Sequence, residues 1–300
     1  MIIAHSSFPL CATPKFINNI LMRTFFLAVI LFVGLSSSAQ YYYKDIIGTR
    51  ESSETIKNYM KNKVKTVQLT SYNSENQRDE DFYVQQQFSP ASRSLITVTR
   101  SGITNQSVLI SYADANGNVT RTVDSSEIVV TNTNYNYNAM GQLVSVESSS
   151  SDTSNNSETE QHLWKWVNNK PVEMLRIKNK IDTAFVEFVM DDNGNVAEER
   201  ETRKGLKLQP VYYYYNDKNM LTDIVRYSPR AKQLMAEYIF TYGESNELVQ
   251  KYTIPANSSD YIIWRYQYNP QGLKTKEAIY NKYDKRNPMG VIEYQYSLGL

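Results

Sequence analysis

A seven-residue turn signature recurs along most of this chain, and its spacing constrains the fold more than any other feature. Tyr137-Asn138-Ala139-Met140-Gly141-Gln142-Leu143 shares its layout with Tyr215-Asn216-Asp217-Lys218-Asn219-Met220-Leu221 and Tyr242-Gly243-Glu244-Ser245-Asn246-Glu247-Leu248. Residues 190–196 carry Met in place of Tyr. Residues 268–273 place the aliphatic residue one position early, and residues 166–172 and 114–119 are weaker copies. With the Gly/Asn position as the mark, the copies fall at 117, 141, 170, 194, 219, 246 and 272, at intervals of 24, 29, 24, 25, 27 and 26. A period this regular marks a chain built from one repeated supersecondary unit.

The residues name the unit. Asn and Gly supply the positive φ of tight turns between strands. The flanks alternate: Tyr238, Phe240 and Tyr242 share one face before the turn, and Leu248, Gln250 and Tyr252 share one face after it. Tyr, Val, Ile, Phe and Thr favour strands. Second turns at 203–205, 228–230 and 255–258 close each unit, so every period holds two strands and two turns. The expectation is an all-β, antiparallel β-meander of about seven or eight two-stranded repeats, in a curled or open sheet, with one short N-terminal helix. That helix is expected over 51–63, where Ile56, Tyr59 and Met60 share a face, acids lead and lysines close. Its expected task is to cover the open edge of the first hairpin. The Ser-rich stretch 147–160 is expected as a loop.

The N-terminus reads as an export signal. Residues 25–35 form an unbroken apolar run, too short for a bilayer-spanning helix, with Arg23 before it and small residues Ser37 and Ala39 after it. Cleavage after Ala39 leaves Gln40 as the first mature residue. A start at Met22 would make residues 1–21 an upstream extension. The domain plan is therefore 1–39 signal peptide, 40–63 cap segment with the helix, and 64–300 repeat domain. Cys11, the one cysteine, precedes the cleavage point, so the mature chain has no thiol with which to make a disulfide or thiolate site. The 32 Lys and Arg less Lys15 and Arg23 leave 30 basic against 31 acidic residues, a net charge of −1. Interspersed near-neutral charge offers no basic stripe for nucleic acid or an anionic membrane.

The Y-N-x-x-G-x-L units over roughly 110–298 resemble the YD repeats of RHS (rearrangement hotspot) proteins, which are secreted or surface β-repeat proteins. The Asp that follows Tyr in that family is Asn at 138, 216 and 269 and Gly at 243. The family's long arrays form a closed shell around a toxin. Seven or eight units are too few for that, and no toxin-like domain follows the repeats. What the resemblance implies here is the hairpin array and not encapsulation.

Chemistry-bearing residues are sparse. Asp114-Ala115-Asn116-Gly117-Asn118 and Asp191-Asp192-Asn193-Gly194-Asn195 have the alternating oxygens of calcium loops but lack the closing Glu, and plain hairpin turns account for them equally. His162 beside Leu163, Trp164 and Trp166 has no cysteine to share a zinc site and no G-x-S-x-G elbow to activate. No catalytic residue, cofactor or metal is therefore expected. Carboxylates are plentiful, but nothing selects a hydrolytic pair.

The aromatics are the strongest lead. Tyr213, Tyr215, Trp264, Tyr266 and Tyr268 form the candidate binding face, an exposed ladder for stacking on sugars or for protein contact. The competing reading buries both faces as the sheet curls. The expected function is an exported, non-catalytic β-repeat protein, an interaction or scaffold module of the bacterial cell envelope with a protein or glycan partner. It is expected in the periplasm, at the cell surface or secreted, not spanning a membrane and not binding nucleic acid. A carbohydrate-binding or carbohydrate-active protein is the alternative. An outer-membrane barrel is the lesser alternative, suggested by alternation of Ile292, Tyr294, Tyr296, Leu298 and Leu300 and opposed by Glu198, Glu199 and Arg200 in a row.

Overall fold

The computed structural model describes residues 41–101, 106–256 and 258–299. The expected signal peptide, with Cys11, lies outside them. Helix α1 (Lys44–Lys61) comes first. It is followed by β1 (Val64–Asn73), β2 (Tyr83–Ser89), β3 (Ser94–Arg100), β4 (Ser107–Ala113), β5 (Val119–Ser125) and β6 (Val129–Tyr137). Then come β7 (Leu143–Asp152), β8 (Ser157–Val167), β9 (Lys170–Lys178), β10 (Asp182–Met190), β11 (Val196–Arg203) and the two-residue β12 (Leu206–Lys207). The last are β13 (Val211–Tyr215), β14 (Leu221–Ser228), β15 (Gln233–Tyr242), β16 (Leu248–Thr253), β17 (Ile262–Tyr268), β18 (Lys274–Asn281) and β19 (Gly290–Leu298).

Each strand pairs antiparallel with its successor, and β12 is a side branch of β11, which pairs on to β13. The last strand then pairs with the first: Val67 faces Tyr296 and Leu69 faces Tyr294. The sheet is therefore a closed barrel of 18 strands, the 19 less β12. This corrects the expected open or curled sheet of seven or eight repeats. The ring takes in the hairpins before residue 110, which lie in the expected repeat domain but whose turns lack the signature, and it leaves the 18 strands no open edge. The expectation that the chain does not span a membrane falls with the open sheet, because a closed ring is the β arrangement that can cross a bilayer.

Six of the seven turn marks are left-handed positions; at the seventh, Lys170 opens β9 and the left-handed residues are Asn168 and Asn169 before it. Gly117, Gly141, Gly194 and Gly272 have φ of +75 to +84°, and Asn219 and Asn246 have +56 and +66°. Except before Asn246, where Gly243 stands, the Asn or Asp three residues earlier folds its side chain onto the turn. Asn138 Oδ1 accepts from the amides of Met140 and Gln142, both at 3.0 Å. A register shift follows at each signature, as between Asn136 and Tyr137 and between Gln267 and Tyr268. The bulge turns the aromatic and its aliphatic partner to the same side. The Ser-rich stretch is corrected as well. Ser148 to Ser151 lie in β7 and Ser157 in β8, joined by a tight turn in which Asp152 Oδ1 accepts from the amides of Ser154 and Asn156. Cross-strand pairing outweighs the weak strand preference of serine.

Eight strands can fill their interior with side chains, whereas 18 leave a wide lumen. Here α1 and the residues just before it sit inside the ring. Tyr41, Tyr42 and Ile46 pack in one buried cluster with Leu143, Trp164, Met174, Val186, Phe188, Tyr213 and Ile224. The helix is thus longer than expected and lies inside the ring, where no sheet edge remains to cover.

Candidate functional site

Charged and aromatic side chains gather in the lumen, and α1 is tied there to β2, β5, β8, β11 and the β17–β18 turn. At the helix start, Glu199 of β11 is buried and accepts from the amides of Tyr42 at 2.9 and 3.0 Å and of Tyr43 at 2.9 Å. The Tyr213 hydroxyl donates to it at 2.8 Å. A carboxylate placed at the helix N-terminus meets unpaired donors and the positive end of the helix dipole. Burial nonetheless pushes the Glu199 carboxyl above its usual range, although the three donor residues pull the other way.

One turn on, Asp45 meets β8. His162 Nδ1 lies 2.6 Å from Asp45 Oδ2, and its Nε2 lies 2.9 Å from Glu160 Oε1. Burial opposes charge on the ring, but the two carboxylates outweigh it and hold His162 up to about 9. Glu160 also bridges to Arg176 Nη2 at 3.1 Å, and Arg176 Nη1 reaches Asp182 at 3.0 Å. Burial alone would raise Glu160; His162 and Arg176 reverse that and hold it down to about 2. Both nitrogens of the imidazolium are engaged, so it has no free lone pair to act as a base. The group is a clamp between helix and wall.

The other end of α1 is held as firmly. Val119 N donates to Ser53 Oγ at 3.0 Å, and Asn58 Nδ2 donates to the Gly272 carbonyl at 2.7 Å. Tyr59 OH donates to Gln86 Oε1 at 2.6 Å. These contacts draw on β2, β5 and the β17–β18 turn, while those at the helix start draw on β8 and β11.

All five residues of the candidate binding face line this lumen, so the expected exposed ladder is corrected to an interior one. Tyr213 and Trp264 are buried. Tyr215 donates to the Val196 carbonyl at 2.9 Å, and Tyr268 to that of Leu248 at 2.9 Å. Tyr266 carries the Lys274 ammonium over its ring at 4.7 Å. Asp114 and Asp191 spend their oxygens on Asn116, Asn118 and Asn195 of their own turns. Sequence reasoning missed the Asp45–His162–Glu160 contacts, because Asp45 stands 117 positions from His162.

The outer wall is mixed. Lys165, Glu173, Glu187 and Arg200 stand in register across β8 to β11 on the face opposite the buried Met174 and Val186. Lys165 Nζ lies 2.9 Å from Glu173 Oε2. Leu163 and Phe185 are exposed on the same wall.

The chain matches no protein-family model and no curated protein. Among solved structures it is similar to a porin-like protein from Bacteroides uniformis, at 8% identity and a TM-score of 0.37, over 79% of this chain and 97% of that one. It is also similar to a TcdB2–TccC3–Cdc42 assembly, at 13% identity and a TM-score of 0.31, over 69% of this chain and 11% of that one. A Tc holotoxin pore of Photorhabdus luminescens gives 12% identity and a TM-score of 0.31, over 70% and 12%. Likeness this distant assigns neither family nor activity.

Proposed function

We propose that this chain is an exported, non-catalytic β-barrel of the cell envelope that works as an interaction or scaffold module with its lumen plugged by its own N-terminal segment. The observation that carries the reading is the set of bonds from Glu199, His162, Ser53, Asn58 and Tyr59 that holds α1 inside the ring. A lumen occupied in this way leaves the outer wall and the hairpin tips as the surfaces for contact. The likeness of the turn signature to YD repeats belongs with this reading and is supported by the tyrosine bonds that link successive hairpins. Two assays test it. Cell fractionation is expected to place the chain outside the cytoplasm, and proteoliposomes carrying it are expected to show no solute flux. Recovery from the cytoplasm, or flux through the reconstituted barrel, would overturn it.

A second reading sets the barrel in the outer membrane. Ring closure favours it, as do the outward Leu163, Leu175, Ile177 and Phe185 on β8 to β10. The registered row from Lys165 to Arg200 opposes it, since an Arg or Lys facing lipid costs roughly 2–4 kcal/mol at the bilayer midplane. Retention in carbonate-washed membranes would select this reading, and release by carbonate would reject it.

A further inference from the structure

Helix α1 is buried along one side only. Ile46, Ser53, Ile56 and Tyr59 are buried. Arg50, Glu51, Glu54 and Thr55, on the face away from them, are exposed although the helix lies inside the ring. The Glu51 carboxyl reaches solvent, yet burial pushes it above the usual range against the pull of Lys251, Lys274 and Arg50. A group that is exposed and still short of water stands in a recess walled by protein. Tyr242, Tyr266 and Tyr268 feel the Glu51 charge in turn, so the wall of the recess is β15 to β18. Tyr41 closes it at the helix start, packed on Tyr213 and Tyr238 at centroid distances of 6.3 and 6.1 Å. Glu54 and Thr55 continue the exposed face toward the signature-turn rim, where Asn58 meets Gly272.

The lining of this recess departs from the repeat. Lys274 pairs with Tyr268, where Leu143 pairs with Tyr137, Leu221 with Tyr215 and Leu248 with Tyr242. Lys251 faces Phe240, where Ile224 faces Tyr213. Leu143 and Ile224 belong to the buried apolar cluster. In the recess their places are taken by ammoniums lying over rings. Lys274 Nζ is 4.7 Å from the centre of Tyr266 and 5.8 Å from that of Tyr294, and Lys251 Nζ is 5.2 Å from that of Tyr238. Lys274 also pairs with Glu277 Oε1 at 2.6 Å, and the Tyr294 hydroxyl donates to the same oxygen at 2.6 Å. Tyr238 and Phe240 lie near-parallel, with 13° between planes and 6.2 Å between centroids. Charges of both signs therefore stand beside aromatic faces in a space that solvent reaches.

We propose that this recess between α1 and β15 to β18 binds a neutral saccharide, the terminal unit of an oligosaccharide. The mixed charge selects the ligand. A hydroxyl both donates and accepts, so a sugar can meet the Glu51 carboxylate and a lysine ammonium side by side. An anion would be repelled by Glu51 and a cation by Lys251 and Lys274. The rings of Tyr238, Phe240 and Tyr266 offer the C–H face of a sugar an apolar surface, as binding pockets with a few placed polar groups do. The exposed helix face from Arg50 to Thr55 runs about 8 Å, at roughly 1.5 Å per residue, the scale of a mono- or disaccharide. The inference goes beyond the scaffold reading, since it gives the lumen a ligand of its own. It needs no solute flux, because Tyr41 closes the inner end of the recess.

The test uses the full purified chain on an array of neutral and anionic oligosaccharides, followed by titration calorimetry with the free disaccharide that ends the best-bound glycans. Neutral glycans that share a terminal sugar are expected to bind, at a single site per chain and without loss in high salt. Glu51→Trp fills the recess from an exposed position, and Tyr266→Leu removes a ring from its wall. Each is expected to weaken binding about tenfold or more. Circular dichroism and melting temperature of Glu51→Trp are expected to match the wild type, so that variant decides the matter where Tyr266→Leu lowers stability. A flat response across the array, binding confined to anionic glycans, or binding untouched by Glu51→Trp would overturn the proposal.

Discussion

The hydroxyl of Tyr268 donates to the backbone carbonyl of Leu248 at 2.9 Å and so joins one hairpin to the hairpin before it. The bond recurs from Tyr137 to Val119, Tyr215 to Val196, Tyr242 to Leu221 and Tyr296 to Lys274, at 2.7 to 2.9 Å. The Trp166 indole takes the same part toward Leu143 at 2.8 Å. This contact gives the recurrent aromatic of the signature its physical purpose. Tyr268→Phe keeps the ring and leaves the carbonyl unpaired, so urea unfolding should show a loss of about 1–2 kcal/mol. An unchanged midpoint would mean that water replaces the hydroxyl at no cost.

His162→Gln removes the charge between Asp45 and Glu160 and leaves two carboxylates beside a neutral amide. Breaking a buried ion pair from one side costs about 3–5 kcal/mol. The loss should appear in the melting temperature and as faster proteolysis within 41–63. Wild-type protection of that segment would show that the clamp is dispensable.

Stability should fall on both sides of neutrality. His162 is held up to about 9, above the 6.5 or so of a free imidazole. Its contribution is therefore complete below the free value and is lost as pH rises through about 9. Glu160, held down to about 2, contributes above the usual carboxylate range and loses its share as pH falls through about 2. A melting profile against pH checks both limbs, and His162→Gln should flatten the alkaline one.

Glu199→Gln weakens the wall's grip on the helix start, since an amide nitrogen cannot accept from the amides of Tyr42 and Tyr43 as the carboxyl oxygen it replaces does. A hydrogen bond is worth about 0.5–1.5 kcal/mol, and hydrogen exchange in the first turn of α1 should accelerate while exchange in β11 stays slow. Uniform acceleration across both would point to a global effect.

Gly141→Ala isolates backbone strain. Gly141 has φ of +76°, and a Cβ built there meets nothing within 4 Å. The cost should be the left-handed penalty alone, about 1 kcal/mol, read from chemical denaturation. A neutral result would mean that the turn relaxes to another type.

The hairpin unit was legible because its determinants are local. Gly141, Asn219 and Gly272 announce positive φ, and Tyr238, Phe240 and Tyr242 announce a shared face, within a few residues of each turn. The candidate site was not legible. Tyr213, Tyr215, Trp264, Tyr266 and Tyr268 promise an aromatic face, but alternation does not say whether that face looks out or in when both sides carry rings. The clamp of Asp45, His162 and Glu160 was hidden for a related reason, since its partners come from the helix and from β8.

Sequence alone set the period, the turn chemistry and the antiparallel order of the strands, all consequences of φ preferences and two-residue alternation. Tertiary structure alone decided that β1 meets β19 and that α1 enters the ring. Those outcomes rest on contacts between residues up to 230 or so positions apart, such as Val67 with Tyr296. They depend on how many twisted strands complete a circle and on what fills the space inside it, quantities that no single repeat contains.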